Sequence, residues 1–318
     1  MRRVGERRSN QLEWMQQGRG GMIALVRLIV ISMFVGSCGM DSAAAEIQRL
    51  IAAGKERTYL LERPASSGPW PTIIMLHGGF ITVERTAKES GLDELGPRHG
   101  YAVAFPQGLA GVWNSFSPGK YPPRYRQMMQ AYGGIPDDVG FLGVLVADLV
   151  GRGIADRERI YLAGYSNGGF MTLRMTCVHG ELFAAVGVLL GGMIEEIGAD
   201  CHPKLPMPAL LVNGTSDPIV HYAGGIIGTR GMISTTPLSI WPNDRLVAFL
   251  RQLNGCTAAP ERSTLPGQQS QLIEIESSQP CAAAPVILYR VVNGGHNVPP
   301  ALDVAQLLLD FFEQKVRR

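Results

Sequence analysis

Arg159 to Met175 reads RIYLAGYSNGGFMTLRM, and its two halves ask for different backbones. Ile160 to Ala163 is an apolar run of strand length, whereas Gly168 to Cys177 has the spacing of a helix. Between them lies Gly164-Tyr165-Ser166-Asn167-Gly168, a Gly-x-Ser-x-Gly pattern short enough to arise by chance in a chain with 39 glycines. Context decides its meaning. A buried strand that must turn at once into a helix holds the middle residue in a strained φ/ψ, and the flanking glycines keep Cβ atoms out of the corner. Ser166 is therefore a candidate nucleophile; the plain alternative is a serine that caps the helix.

A serine hydroxyl needs a general base, itself oriented by a carboxylate. In a doubly wound hydrolase these follow in the order Ser, acid, His, each at the carboxyl end of a strand. Asp217 suits the acid, because LLVNGTSDPIV is a strand followed by a glycine-bearing loop with the aspartate at its tip. His296 suits the base, because VILYRVVNGGHNVPP is a late strand, a Gly-Gly loop and then the histidine. His77 lies before the serine, His99 and His179 sit in polar stretches, and His221 is too near Asp217 to converge on Ser166 from another loop. Asp137 and Asp138 read as helix N-terminal acids.

Charge that develops on a carbonyl oxygen also needs donors. One is the backbone N–H of Asn167, after the nucleophile; the other comes from the loop in MLHGGF, at Gly79 or Phe80.

Working outward, Pro71–Leu76, Tyr101–Phe105, Phe183–Leu190, Ala209–Val212 and Val286–Val292 are further apolar strand candidates. Helical patterns at Val139–Val150, Trp241–Leu253 and Ala301–Val316 alternate with them. This order predicts an α/β fold, a mostly parallel central sheet with helices on both faces, in one domain over residues 46–318. Val112–Pro136 and Gly224–Pro242 lack periodicity and read as long loops.

The net charge of +2 is unevenly distributed. Residues 1–45 hold six arginines against three acids, and the remainder has 23 basic and 24 acidic residues, a balance that points away from nucleic acid. Residues 1–45 read as an export leader, with an apolar run at Leu28–Val35 and a small-residue site at Ala43–Ala45. Initiation at Met22 would give that leader an ordinary length. A second reading takes Val35-Gly36-Ser37-Cys38 as a lipobox, in which case a lipid on Cys38 is the expected contact with a membrane. Cys177, Cys201, Cys256 and Cys281 suit an oxidising compartment and allow three pairings; proximity favours Cys177 with Cys201 and Cys256 with Cys281. Four free thiols are the alternative. No CxxC or HxxxH spacing points to zinc, and neither metal nor organic cofactor is expected.

The strings LHGG (76–79), FPQGLAGVWN (105–114), DDVGFL (137–142), GYSNGG (164–169), NGTSDPIVHYAGG (213–225), LNGC (253–256) and GGHNVPP (294–300) run in order along the chain. Together they resemble the polyhydroxybutyrate depolymerase and feruloyl esterase group of α/β-hydrolases. That resemblance implies Ser166, Asp217 and His296 as a triad, Gly79 and Asn167 as oxyanion donors, Trp113 lining an acyl cleft, and a Cys256–Cys281 bridge; for Trp113, plain core packing with a partner for its indole N–H is the alternative. Phe80 and Tyr165, beside the donors and the nucleophile, are further candidate substrate contacts. The implied activity is hydrolysis of carboxylic esters, either plant-cell-wall feruloyl or acetyl esters or hydroxyalkanoate esters. A peptidase or thioesterase on the same scaffold, and a cell-surface binding protein without catalysis, are the alternatives. Two departures bear on the substrate. Val298 stands where the group commonly has an aromatic residue, and the insertion after Trp113 is long enough to act as a partial lid.

Overall fold

A computed structural model describes residues 45–317, apart from 117, 118, 120, 122, 228–237, 267–270 and 283. The leader and Cys38 lie outside the described residues. In chain order the strands are β1 (Glu46–Ala52), β2 (Lys55–Glu62), β3 (Trp70–Leu76), β4 (Ala102–Pro106), β5 (Ala155–Tyr165), β6 (Ala185–Leu189), β7 (Ala209–Gly214), β8 (Gly225–Ile227), β9 (Leu238–Ile240), β10 (Glu261–Pro266), β11 (Leu272–Ser278) and β12 (Val286–Val291). The α-helices are α1 (Val83–Ser90), α2 (Leu92–Arg98), α3 (Pro123–Gln130), α4 (Asp138–Gly151), α5 (Asn167–His179), α6 (Glu195–Ala199), α7 (Asn243–Leu253) and α8 (Val304–Phe312).

Among the described residues, ten strands form one sheet in the order β1-β2-β4-β3-β5-β6-β7-β12-β11-β10. The six central strands, β4 to β12, are mutually parallel. Antiparallel strands β2 and β1 extend one edge, and β11 and β10 the other. The strand β3 shows why the centre reads as an unbroken apolar run: Ile73 and Met75 enter one core, Ile74 and Leu76 the other. The first core takes Val83, Leu92, Leu308 and Phe312 from α1, α2 and α8. The opposite core takes Phe141, Leu145, Met171 and Leu250 from α4, α5 and α7. The sheet is thus covered on both faces, as the alternation of elements predicts.

Helix boundaries follow local chemistry. Asp137 caps α4 by accepting the Gly140 N–H at 2.8 Å, and Asp303 caps α8 by accepting that of Gln306 at 3.0 Å. Helix α8 therefore begins three residues later than the proline pair suggests. The stretch Val112–Pro136 is not wholly loop: it contains α3, whose Tyr125 and Met129 bury one narrow stripe with Val112 and Phe116. Two bridges, Cys177–Cys201 and Cys256–Cys281, are those favoured by proximity.

Candidate active site

Ser166 stands between β5 and α5 with φ 48° and ψ −112°, a backbone that an L-residue adopts only at a cost of about 1–3 kcal/mol. The glycines around it make the corner possible. A Cβ on Gly164 would run into the Gly168 carbonyl, and one on Gly168 would lie 2.6 Å from the carbonyl oxygen of Leu76. Helix α5 thus starts hard against the end of β3.

The acid and base converge because β7 and β12 are parallel neighbours, with Gly214 beside Val291. The loops that follow are stitched together: Thr215 N–H donates to Val291 O at 2.9 Å, Ser216 N–H to Gly294 O at 2.9 Å, and Asn293 N–H to Thr215 Oγ1 at 2.8 Å. The result brings His296 Nε2 to 2.9 Å from Ser166 Oγ and His296 Nδ1 to 2.7 Å from Asp217 Oδ2. The other oxygen, Asp217 Oδ1, accepts the N–H groups of Ile219 at 2.8 Å and Val220 at 2.9 Å. Burial alone would raise the Asp217 pKa, but the bonds from His296, Val220 and Ile219 outweigh it and hold the carboxyl below its ordinary range. An ionised Asp217 fixes the imidazole proton on Nδ1 and leaves Nε2 to accept from the serine.

Of the two candidate donors in the first loop, Phe80 is spent. Its N–H donates to Gly111 O at 2.6 Å, and its φ of 61° turns the chain away. Gly79 remains, and a Cβ placed on it would lie 3.8 Å from Asn167 Cβ, so the two donor residues are neighbours. His77, at the end of β3, is buried. It accepts the Gly108 N–H on Nε2 at 2.8 Å and donates from Nδ1 to Gly78 O at 2.7 Å. Burial pushes its pKa down to about 4.

A cleft of about 670 Å³ opens on Ser166 and His296. Tyr165, Leu190, Ile219, Val298 and Leu302 give it apolar walls; Arg85, Lys88 and Glu89 lie along it. Tyr165 is where the sequence suggests, and burial raises the pKa of its hydroxyl. Trp113 is not. It is 0% exposed, its ring stacks on Phe141 with centroids 6.4 Å apart, and its indole N–H donates to His77 O at 3.0 Å, so it belongs to the core rather than to the cleft wall. Phe80 is 58% exposed but does not line this cleft. Nor does any described residue of the insertion between Trp113 and Pro136, the segment expected as a partial lid.

Sequence reasoning missed what holds residues 113–115. Asn167 Oδ1 accepts the Trp113 N–H at 2.6 Å, and its Nδ2 donates to Trp113 O at 3.2 Å. Asp138 accepts the Asn114 N–H at 2.7 Å, Arg174 donates to Asn114 O, and Asn114 Nδ2 donates to Pro136 O at 2.8 Å. Asp138 is the partner of Arg57 rather than a simple helix-end acid. The available signal was the asparagine that ends GVWN and the one that ends GYSN, whose side chains have no assigned role in the sequence reading.

The parallel sheet, the strained serine after β5 and the Ser–His–Asp chain at strand ends define an α/β-hydrolase arrangement. Residues 58–223, just over half of the chain, match the family described as Esterase PHB depolymerase, and the chain belongs to that family. The matched span includes Ser166 and Asp217; His296 lies beyond it. Among curated relatives, the esterase-named NocK of Nocardia uniformis subsp. tsuyamanensis is 30% identical over 186 residues, 57% of this chain and 51% of that one. Poly(3-hydroxyoctanoate) depolymerase of Pseudomonas fluorescens is 29% identical over 214 residues, 62% of this chain and 72% of that one. The chain spans about half the length of NocK. Among solved structures, an acetyl xylan esterase from Aspergillus awamori shares the fold with a TM-score of 0.57 at 15% identity, over 84% of this chain and 99% of that one.

Proposed function

We propose that the protein is a serine esterase that hydrolyses carboxylic esters through an acyl-enzyme. The observation that carries this reading is the continuous chain Ser166 Oγ, His296 and Asp217, with contacts of 2.9 and 2.7 Å. As Ser166 Oγ attacks the ester carbonyl, its proton passes to His296 Nε2, and Asp217 stabilises the imidazolium through Nδ1–H. The carbonyl oxygen becomes an oxyanion held by the N–H groups of Gly79 and Asn167. His296 then returns the proton to the departing alcohol, the C–O bond breaks, and the acyl group stays on Ser166. Water repeats the sequence: it loses a proton to His296, attacks the acyl carbon and releases the acid.

For substrate, we favour aryl or acetyl esters of plant cell walls or short hydroxyalkanoate oligomers. The depolymerase relative supports the hydroxyalkanoate class, and the apolar walls at Tyr165, Leu190 and Val298 suit an acyl or aryl group. Export is part of the proposal, because two disulfides suit an oxidising compartment.

The test is turnover of methyl ferulate, 4-nitrophenyl acetate and a hydroxybutyrate trimer. Activity on at least one, lost in Ser166→Ala, is expected; folded wild-type protein inactive on all three, with no labelling by a fluorophosphonate, would refute the reading.

A further inference from the structure

We propose that Trp113 is a positioning residue for the reaction, a strut that sets the spacing between the two oxyanion donors. This inference rests on the esterase reading above. The donors belong to different elements: Gly79 follows β3, and Asn167 begins α5. Charge stabilisation by two N–H groups requires each to lie about 2.7–3.1 Å from the same oxygen, so their separation has to be held to a fraction of an ångström.

Trp113 is bonded to both sides. Its backbone forms a two-point pair with the Asn167 side-chain amide, at 2.6 and 3.2 Å. Its indole N–H donates at 3.0 Å to the carbonyl of His77, two residues before Gly79. One fully buried residue therefore spans from the Asn167 side, through its backbone, to the Gly79 side, through its indole. The arrangement explains why a residue lacking any exposed surface sits in this region with each of its polar groups directed at the donor segments.

The strut is itself fixed from behind. Asn114, the next residue, is held by Asp138 through its N–H and by Arg174 through its carbonyl. The Trp113 ring packs between His77, with centroids 4.9 Å apart, and Phe141. Neither the indole nor the Asn167 side chain need touch substrate; both act through the backbone donors. A displacement of a donor by about 1 Å can cost on the order of 100-fold in rate without altering ground-state binding.

The experiment is steady-state kinetics on 4-nitrophenyl acetate for wild type, Trp113→Phe, Asn167→Ala and the double variant, with thermal midpoints measured in parallel. Trp113→Phe keeps an aromatic ring and removes the indole N–H; Asn167→Ala keeps the backbone donor. Each single variant is expected to lose about 10- to 100-fold in kcat with KM within about threefold of wild type. The double variant is expected to lose little more than the worse single one, because both break the same strut. Tyr161→Phe is the control. It removes a hydroxyl that donates to Lys315 O at 2.7 Å, remote from the donors, and should lower the thermal midpoint with kcat unchanged. The inference is overturned if Trp113→Phe and Asn167→Ala keep kcat within about twofold, if their losses multiply, or if kcat follows the thermal midpoint across all variants including Tyr161→Phe. Wild type without turnover or Ser166 labelling would instead remove the esterase reading, and the inference with it.

Discussion

Arg57 Nη2 and Asp138 Oδ1 lie 2.7 Å apart with 2% and 0% of their side chains exposed, and Arg57 also stacks on Phe141, 3.8 Å from the ring centroid. A pair so enclosed has given up its hydration, and each charge depends on the other. Asp138→Ala leaves the guanidinium buried and uncompensated, with an expected loss of about 3–5 kcal/mol in urea unfolding. Replacing both residues by apolar ones, Arg57→Met with Asp138→Leu, should cost less than the single change. A double variant less stable than Asp138→Ala would show that Arg57 contributes more through its packing on Phe141 and its bond to Gln107 O than its unpaired charge costs.

His77 gives a pH dependence. Its pKa falls from 6.5 to about 4 in the fold, so the unfolded chain takes up the proton first as pH drops. Stability is then complete above pH 6.5 and declines between there and pH 4. At pH 5 the loss from this one group should be about 2 kcal/mol, at roughly 1.4 kcal/mol per unit. His77→Gln keeps hydrogen-bonding capacity without a titrating ring, and its unfolding midpoint should change less between pH 7.5 and 5. An unchanged slope in that variant would move the effect to other groups.

Asp217 titrates in the opposite sense. Its folded pKa is held below the ordinary carboxylate value, so its contribution is present above that value and lost as pH falls through the folded one. Its larger effect should be on rate. Asp217→Asn removes the charge that fixes the His296 tautomer, and kcat is expected to fall by about 10³- to 10⁴-fold. A loss under tenfold would show that the backbone around His296 suffices to orient it.

The bridges join cysteines 24 and 25 positions apart, each worth about 3.5 kcal/mol in the chain-entropy view. Cys177→Ala with Cys201→Ala, and the matching change at Cys256 and Cys281, should each lower the urea midpoint accordingly. A null effect for one pair would mark its loop as already constrained.

The central sheet was legible because β3, β4, β6 and β7 are buried on both faces and so read as apolar runs. The edges were not: every residue of β10 is exposed, and ERSTLP carries no apolar pattern. Helices α1 and α2 escaped because VERTAKES and LDELGPR are short and highly charged. At the site, Ser166, Asp217 and His296 could be placed together because their order and their positions after strands are sequence properties. The choice between Gly79 and Phe80 depended on where one N–H points, and Gly111, which decides it, is remote in sequence. Trp113 stayed open between cleft wall and core for a related reason: a tryptophan near a cleft and one beneath it look identical in sequence, and only the partner of its indole N–H separates them.

The central claim is that Ser166 is an activated nucleophile. A fluorophosphonate probe with intact-mass readout tests it directly on the folded protein. The account predicts one equivalent bound to wild type, none to Ser166→Ala, and labelling slowed by at least tenfold in His296→Ala. Labelling that persists in Ser166→Ala, or wild type that remains unmodified, would contradict it.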